Sequence, residues 1–453
     1  MLEKYFKLQD HKVTAKSEIA AGITTFVTMA YILAVNPQIL SATGMPAGGV
    51  LIATALSSFI ACMCMAFMAN LPFALAPGMG LNAYFAFGVV LGMGYSWQIA
   101  LFAVFIEGII FILLSFVDAR EAIFNAIPMS LKHAISAGIG LFIAFIGLQS
   151  AKLVVSNDAT LVGLQKFNAN FSTEGIGALL CLIGVVIIGV LSYHKVKGAI
   201  LIGIFATWAL GMLCQATGIY VPNPEANFFS LYPSWAAPDF SGFGDIFGHC
   251  FRLDFSQVKF LDMFSIVFAF LFVDIFDTIG TLIGCATKGD MLDENGKLPK
   301  VKQALLADAI GTTVGAVMGT STVTTYVESS AGVAEGGRTG LTAFTTGILF
   351  LLAIILSPIF IAIPGFATAA ALIYVGFAMF TSILRVNFDD LTEAIPAYVA
   401  LIAMPLFYSI AEGISLGVIF FVLMKIFSGK RKDVSPLMLI LFLVFVARYI
   451  FMK

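Results

Sequence analysis

The sequence predicts an all-α polytopic membrane protein with fourteen transmembrane segments, and three observations carry that expectation. The first is composition: 60% of the 453 residues are hydrophobic, 11% are charged, and the mean hydropathy is +1.00. No water-soluble core hides so much apolar surface. The second is run length. A hydrocarbon layer about 30 Å thick needs roughly 20 apolar residues per crossing helix, and runs near that length occur at 19–36, 47–69, 71–92, 97–117, 130–149, 175–193, 198–215, 259–286, 303–319, 320–336, 340–362, 367–384, 391–408 and 411–428. A further run, 435–451, contains Arg448 and reads either as a peripheral helix or as a fifteenth crossing. The third is charge. With a cytoplasmic N-terminus, eighteen lysines and arginines fall inside, Lys4, Arg120, Lys288 and Lys297 among them, and only Lys152, Lys166, Arg252 and Lys259 fall outside. That is the positive-inside bias, and one missed crossing would invert every later loop.

In chain order, the first eighteen residues are polar and no short apolar stretch with a small-residue cleavage site follows. The first crossing, "GITTFVTMAYIL", is therefore expected to be a retained anchor. Segment 3, "LPFALAPGMGLNAYFAF", holds Pro72, Pro77, Gly78 and Gly80, which break or kink a helix. Segment 10 opens with "TSTVTTYV", a β-branched run that favours extended structure. Both should be interrupted within the membrane, which is tolerated only beside protein or a water-filled cavity. Free backbone groups at the breaks would then face a ligand.

These odd segments recur symmetrically. The polar-speckled stretches "GITTFVTMAYIL" of segment 1 and "FLFVDIFDTIGTLIG" of segment 8 start at residues 22 and 270, and "LPFALAPGMGLNAYFAF" and "GTSTVTTYVESSAGVAEGG" of segments 3 and 10 start at 71 and 319, an offset of 248 in both pairs. Seven crossings per half is odd, so the second half enters inverted, as in inverted-repeat transporters.

Five acids sit inside apolar segments: Glu107, Asp274, Asp277, Asp308 and Glu328. Each costs about 2.5 to 3.5 kcal/mol at the centre of a crossing helix. For Glu107 and Asp308 a protonated acid hydrogen-bonded to a neighbouring helix is as good a reading as a functional one. Asp274 and Asp277, three apart on segment 8, are expected to face one side, with Glu328 at the unwound point of segment 10. Together they mark a cavity. Five of the six cysteines, Cys62, Cys64, Cys181, Cys214 and Cys285, lie in apolar runs as small buried hydrophobes, so no disulfide framework is expected. Four scattered histidines suggest no metal site, a net charge of −2 suggests no nucleic-acid partner, and no G-x-x-x-x-G-K-[ST] stretch suggests ATP coupling. A "GFGD" stretch ending at Asp245 resembles an intramembrane aspartyl protease motif, but it lies in the polar outer loop 216–258. Asp274 and Asp277 share one helix, so they do not form the facing dyad such an enzyme needs.

Four stretches carry a wider resemblance: "AGITTFVTMAYILAVNP" (21–37), "APGMGLNAYF" (76–85), "VDIFDTIGTLIG" (273–284) and "TSTVTTYVESSAGVAEGGRTGLTA" (320–343). In order and spacing the chain resembles the nucleobase/ascorbate transporter superfamily, and within it the AzgA-like purine permeases. The resemblance implies two inverted repeats of seven segments, with short strands in segments 3 and 10 meeting at the substrate. It implies a core domain at 1–117 and 259–362 and a gate domain at 118–215 and 363–430. The outer loop 216–258 and the hydrophobic segment 431–453 stand apart. By the same resemblance Glu328 binds the base, Asp277 takes the place of the segment-8 acid with Asp274 as its partner, and Gly80 and Asn82 shape the site. Ser329 and Ser330 stand where uracil and xanthine relatives usually have asparagine, which favours adenine, guanine or hypoxanthine.

The chemistry of these residues agrees. A neutral purine offers N–H donors beside ring acceptors; a carboxylate takes two donors, and Asn82 offers both polarities. Thr25 and Phe26 of the first stretch belong to the expected site, and Phe26, Phe85, Phe276 or Tyr326 would stack on the ring. Acids held close together favour taking up a proton, so proton symport into the cell across the plasma membrane is expected, carried by Asp277, Asp274 or Glu328. Xanthine or uracil transport and sodium coupling are the alternatives, and an anion exchanger, which would want positive charge at the site, is a remote one. No cofactor is expected; the partners are the purine, the proton and the bilayer, and a homodimer is compatible with the sequence.

Overall fold

The computed structural model describes residues 5–116, 128–157, 159–168, 170–223, 228–233, 237–253, 258–293 and 298–451. Lys4, Arg120 and Lys297 lie outside the described residues, as do the side chains of Phe276, Lys288 and Arg448.

The first half runs α1 (Ala15–Met29), α2 (Ile32–Ser41), α3 (Ala47–Cys64, prolonged by a π-helical turn), β1 (Leu75–Pro77), α4 (Met79–Ala83, continuing π-helically to Gly92), α5 (Trp97–Phe116), α6 (Met129–Ser150), β2 (Val154–Asn157), β3 (Leu161–Leu164), α7 (Ile176–Tyr193), α8 (Ala199–Ala216) and α9 (Phe240–Gly244). The second runs α10 (Phe260–Lys288), α11 (Val301–Met318), β4 (Val323–Thr325), α12 (Ser329–Ala334), α13 (Gly340–Ala353), α14 (Ser357–Ile361), α15 (Gly365–Phe380), α16 (Leu391–Leu406), α17 (Ile410–Phe427) and α18 (Pro436–Phe451).

Among the described residues ten helical stretches are long and apolar enough to cross a membrane, so the chain is a multi-pass, mostly helical membrane protein. The other four expected segments are shorter, interrupted or more polar. Strands divide 71–92 and 320–336, α16 is 16 residues long with Pro396 and Pro405 inside it, and α11 carries Lys302 and Asp308.

Local sequence explains where elements start and stop. Thr14 caps α1 through Ser17, each side chain accepting from the other residue's backbone N–H at 3.1 Å, which satisfies two otherwise orphan donors. Asp390 and Ser409 cap α16 and α17 by accepting from Thr392 N and Glu412 N. At the polar end of α16, the Lys430 ammonium, Thr392 and the Thr392 amide hold the Asp390 carboxyl well below the usual carboxylate range. Buried Lys425 of α17 reaches Glu393 and Asp433 at 3.3 and 3.5 Å. Those pairs tie the start of α16 and the link to α18 to one helix.

The helices pack in two groups. α1, α3, α5, α10, α11 and α13 pack mainly among themselves, while α6, α7, α8, α15, α16 and α17 form a second set. In the second set α6 and α15 touch backbone to backbone: a Cβ on Gly140 would lie 2.5 Å from the Gly376 carbonyl oxygen, and one on Gly376 would lie 2.5 Å from that of Gly140. Small residues of this kind let membrane helices approach closely.

Part of the connection between α8 and α10 is a packing element. A Cβ on Gly49 of α3 would lie 2.2 Å from the Gly242 carbonyl oxygen, Asp239 accepts from Gly242 N to cap α9, and Gly248 N donates to Val317 O at the end of α11. The "GFGD" stretch forms this short capped helix and its C-cap Asp245. The β2–β3 hairpin was not foreseen from the sequence.

Gly376→Val should lower the thermal unfolding temperature of the purified protein in detergent, because overpacking costs about 1–3 kcal/mol or more. Gly365→Ala, whose Cβ meets nothing within 4 Å, should leave the melting curve in place.

Candidate functional site

Pro77, which has no N–H, ends β1, and the β-branched Val323–Thr325 form β4. The two strands pair antiparallel with Leu75 opposite Thr325, Ala76 opposite Thr324 and Pro77 opposite Val323. Gly78 N donates to Thr322 O at 2.9 Å and Tyr326 N to Ala74 O at 3.0 Å, extending the ladder at both ends. Gly78 is required here by contact: its Cβ would lie 2.5 Å from Thr324 Cγ2. All six strand residues are buried.

Beyond β4 the chain turns through Tyr326 and Val327 to Glu328, the N-cap of α12. The Tyr326 hydroxyl donates to Pro77 O at 2.6 Å, locking this turn to β1. Glu328 Oε1 accepts from the Tyr31 hydroxyl at 2.7 Å, and Tyr31 stands where α1 gives way to α2. Asp277 of α10 interacts electrostatically with Glu328, Tyr31 and Tyr326. Asp277 and Glu328 are both half-buried, and Val327 between the strand and Glu328 is 61% exposed. Two carboxylates and two phenols therefore meet at the end of the strand pair.

Asp274 goes elsewhere. Three residues of helix turn through about 300°, leaving its side chain roughly 60° from that of Asp277, and this suffices to give them different neighbours. Asp274, Glu107 of α5 and Asp308 of α11 are each 0% exposed. Asp274 and Glu107 are in hydrogen-bonding contact. Thr322 donates to Glu107 Oε2 at 3.2 Å. Thr278, one turn beyond Asp274, reaches Asp274 Oδ1 at 3.3 Å, both Asp308 oxygens at 3.1 Å and Thr324 Oγ1 at 2.7 Å. Asp308 and Glu107 were expected singly; they come together here with Asp274.

The remaining expected residues are turned into the protein. Asn82 accepts from the Ser321 hydroxyl, and its Nδ2 lies 3.4 Å from Pro77 O. Ser329 accepts from Ala74 N at 2.9 Å, so its hydroxyl holds β1. A Cβ on Gly80 would lie 2.7 Å from Ile139 Cγ2 of α6, in the other helix group. Thr25 is buried in the space that Gly332 leaves open, where a Cβ would come within 2.1 Å of its hydroxyl. Phe26 is half-buried and meets Phe350 edge-on at 5.2 Å. Phe85 is buried, and the Phe276 side chain lies outside the described residues. Among the described residues no group of three or more His, Cys, Asp or Glu is placed to hold a metal ion.

Sequence reasoning passed over Tyr31, although it lies in a stretch singled out for its polar character. It also read the threonines of segment 10 for their β-branching alone, when Thr322 and Thr325 donate to Glu107 and Asp308 and Thr324 bonds Thr278. Chemically, the half-exposed pair can accept hydrogen bonds, while the enclosed trio is reached by the hydroxyls of Thr278, Thr322 and Thr325.

The model of the Permease family (Xan_ur_permease) matches residues 16–416. The chain is 43% identical to the guanine/hypoxanthine permease PbuG of Bacillus subtilis strain 168, over 100% of both chains. It is 42% identical to the adenine permease AdeP of Escherichia coli strain K12, over 100% of this chain and 96% of that relative. Among solved structures, the transmembrane domain of a cyanobacterium bicarbonate transporter, BicA, superposes with a TM-score of 0.62 at 14% identity, covering 88% of this chain and 97% of that one. The fold is shared with that transporter.

Ser329→Ala strips the buried Ala74 amide of its acceptor, a loss of about 1–3 kcal/mol. The expected outcome is a lower unfolding temperature in detergent, whereas Ser329→Thr, which keeps the hydroxyl, should stay closer to the parent.

Proposed function

Because this chain belongs to the nucleobase/ascorbate transporter family and is a transporter rather than an enzyme, we propose that it imports adenine, guanine or hypoxanthine by proton symport. Relatives named as adenine and as guanine/hypoxanthine permeases support the substrate class. The observation that carries the reading is the half-exposed pair Glu328 and Asp277 beside Tyr31 and the β1–β4 strands. A purine presents adjacent N–H groups, and a carboxylate is acceptor-only and takes two of them. Tyr31, already bonded to Glu328, holds that carboxylate's direction. Two neighbouring carboxylates repel an anion, so cargo of the bicarbonate type suits this site poorly.

We assign α1–α5 with α10–α14 to a core that carries the site, and α6–α8 with α15–α17 to a gate. The fourteen segments then fall into two inverted repeats of seven in the plasma membrane, with the N-terminus cytoplasmic. Gly80 against Ile139 of α6 supports a close seam between core and gate. Movement of the core along that seam would carry the base from one side to the other. Asp277, Asp274 and Glu328 are the acids from which the coupled proton is drawn. Asn82, Ser329, Thr25, Gly80 and Phe26 shape the walls: Asn82 and Ser329 through the strand contacts above, Thr25 and Phe26 from α1.

Reconstituted protein should concentrate labelled adenine, guanine or hypoxanthine under a membrane potential with equal pH on the two sides, by about 50-fold per co-transported proton at 100 mV. Glu328→Gln removes the charged acceptor, worth about 1.5–3 kcal/mol, so uptake of the preferred base should weaken by one to two orders of magnitude. Tyr31→Phe should weaken it less. If none of the three bases accumulates in the parent protein, purine import is wrong.

A further inference from the structure

Among the described residues, one carboxylate oxygen of the enclosed cluster behind the strands has no donor. Glu107 is fully buried, and among the described residues no hydrogen-bond donor reaches its Oε1, while its carboxyl group lies in hydrogen-bonding contact with that of Asp274. Two ionised carboxylates have only acceptors to offer each other, and a buried oxygen left without a donor is unfavourable. One proton between them supplies the missing donor and removes one of two like charges, as in a carboxyl dyad that shares a proton. The cluster also has a way to report its state. Thr278 owns a single hydroxyl hydrogen, yet its oxygen lies within reach of Asp274, Asp308 and Thr324. Thr324 belongs to β4, two residues before Tyr326 and four before Glu328.

We propose that Glu107 and Asp274 together hold the proton that travels with the purine, and that Thr278 relays its presence to the base site through Thr324. This deepens the symport reading and rests on it. With the proton on the pair, Thr278 is free to bond Thr324 and hold β4 in place. When the proton leaves, the second negative charge draws the Thr278 hydrogen to Asp274 or Asp308, Thr278 then holds Thr324 only by accepting from its hydroxyl, and this reversal of the bond to β4 is what reaches Glu328. The titratable groups facing Glu107 are Asp274 from α10 and Asp308 from α11. Of the other elements packed on its helix, the π-helical stretch after α4 carries Tyr84 and the outer turn carries His249 and Cys250. His249 stacks on Trp97, ten residues or about 15 Å along the helix from Glu107.

The test uses the full chain in proteoliposomes with labelled base and an internal pH dye. The parent should move a proton with each base. Glu107→Gln should still exchange base for base across the membrane, but its accumulation should fall from about 50-fold to none, with no proton movement. Glu107→Asp, which keeps the acid, should retain accumulation and should shift the infrared carbonyl band of the protonated carboxyl pair. Accumulation by Glu107→Gln equal to the parent's overturns the inference, and so does a folded Glu107→Gln protein that loses exchange together with accumulation. If Glu107→Gln does not fold, the band decides: one that is unmoved in Glu107→Asp rules the pair out. A parent protein that carries base without a proton would instead overturn proton symport itself, which is a different pattern from a coupled parent with a coupled variant.

Discussion

The pairing of two three-residue strands, β1 and β4, is the constraint on which the rest depends. A chain that breaks its helices inside an apolar bundle leaves backbone N–H and C=O groups that no water can satisfy, and these must find protein partners. Here each break satisfies the other, in a register set by Leu75 against Thr325. The ends of the ladder are closed by Ser329 on Ala74 N and by Tyr326 on Pro77 O. Gly78 admits Thr324 to the space its own side chain would fill. Neither strand is stable alone, so the segments that contain them have to fold together. Everything that brings α3, α10 and α11 around them follows from that need.

The same strand pair divides the buried acids. On one side Glu328 and Asp277 keep partial exposure and share Tyr31 and Tyr326. On the other, Glu107, Asp274 and Asp308 are fully enclosed and served by threonine hydroxyls. A group that meets solvent can exchange ligands, and one that is enclosed can store a charge state. Thr278 sits between, adjacent in sequence to Asp277 and bonded to the enclosed trio. The division places two acids in different surroundings, Asp274 enclosed and Asp277 half-exposed, on one short stretch of α10.

The fold is shared with BicA at 14% identity, so the fold by itself does not decide the cargo. On the purine reading proposed above, the side chains at the break do the selecting. In this chain those side chains are a carboxylate and a phenol directed at each other, a pairing that favours donors over anions.

How much of this was legible in the sequence depends on the distance over which a feature is decided. The apolar runs, the breaks at Pro72, Pro77 and "TSTVTTYV", and the presence of five buried acids were all readable, because hydropathy, proline and β-branching act locally. The different neighbours of Asp274 and Asp277 were not legible, since helical periodicity fixes the angle between two side chains and says nothing of what each one meets. Tyr31 bonds a residue 297 positions away, and Thr322 bonds one 215 positions away. No local preference encodes such partners. Local hydropathy and chain breaks suffice to require a bundle of crossing helices with a polar, broken centre; which acid faces solvent and which is sealed behind the strands emerges only on folding, because it depends on long-range packing between segments from opposite halves of the chain.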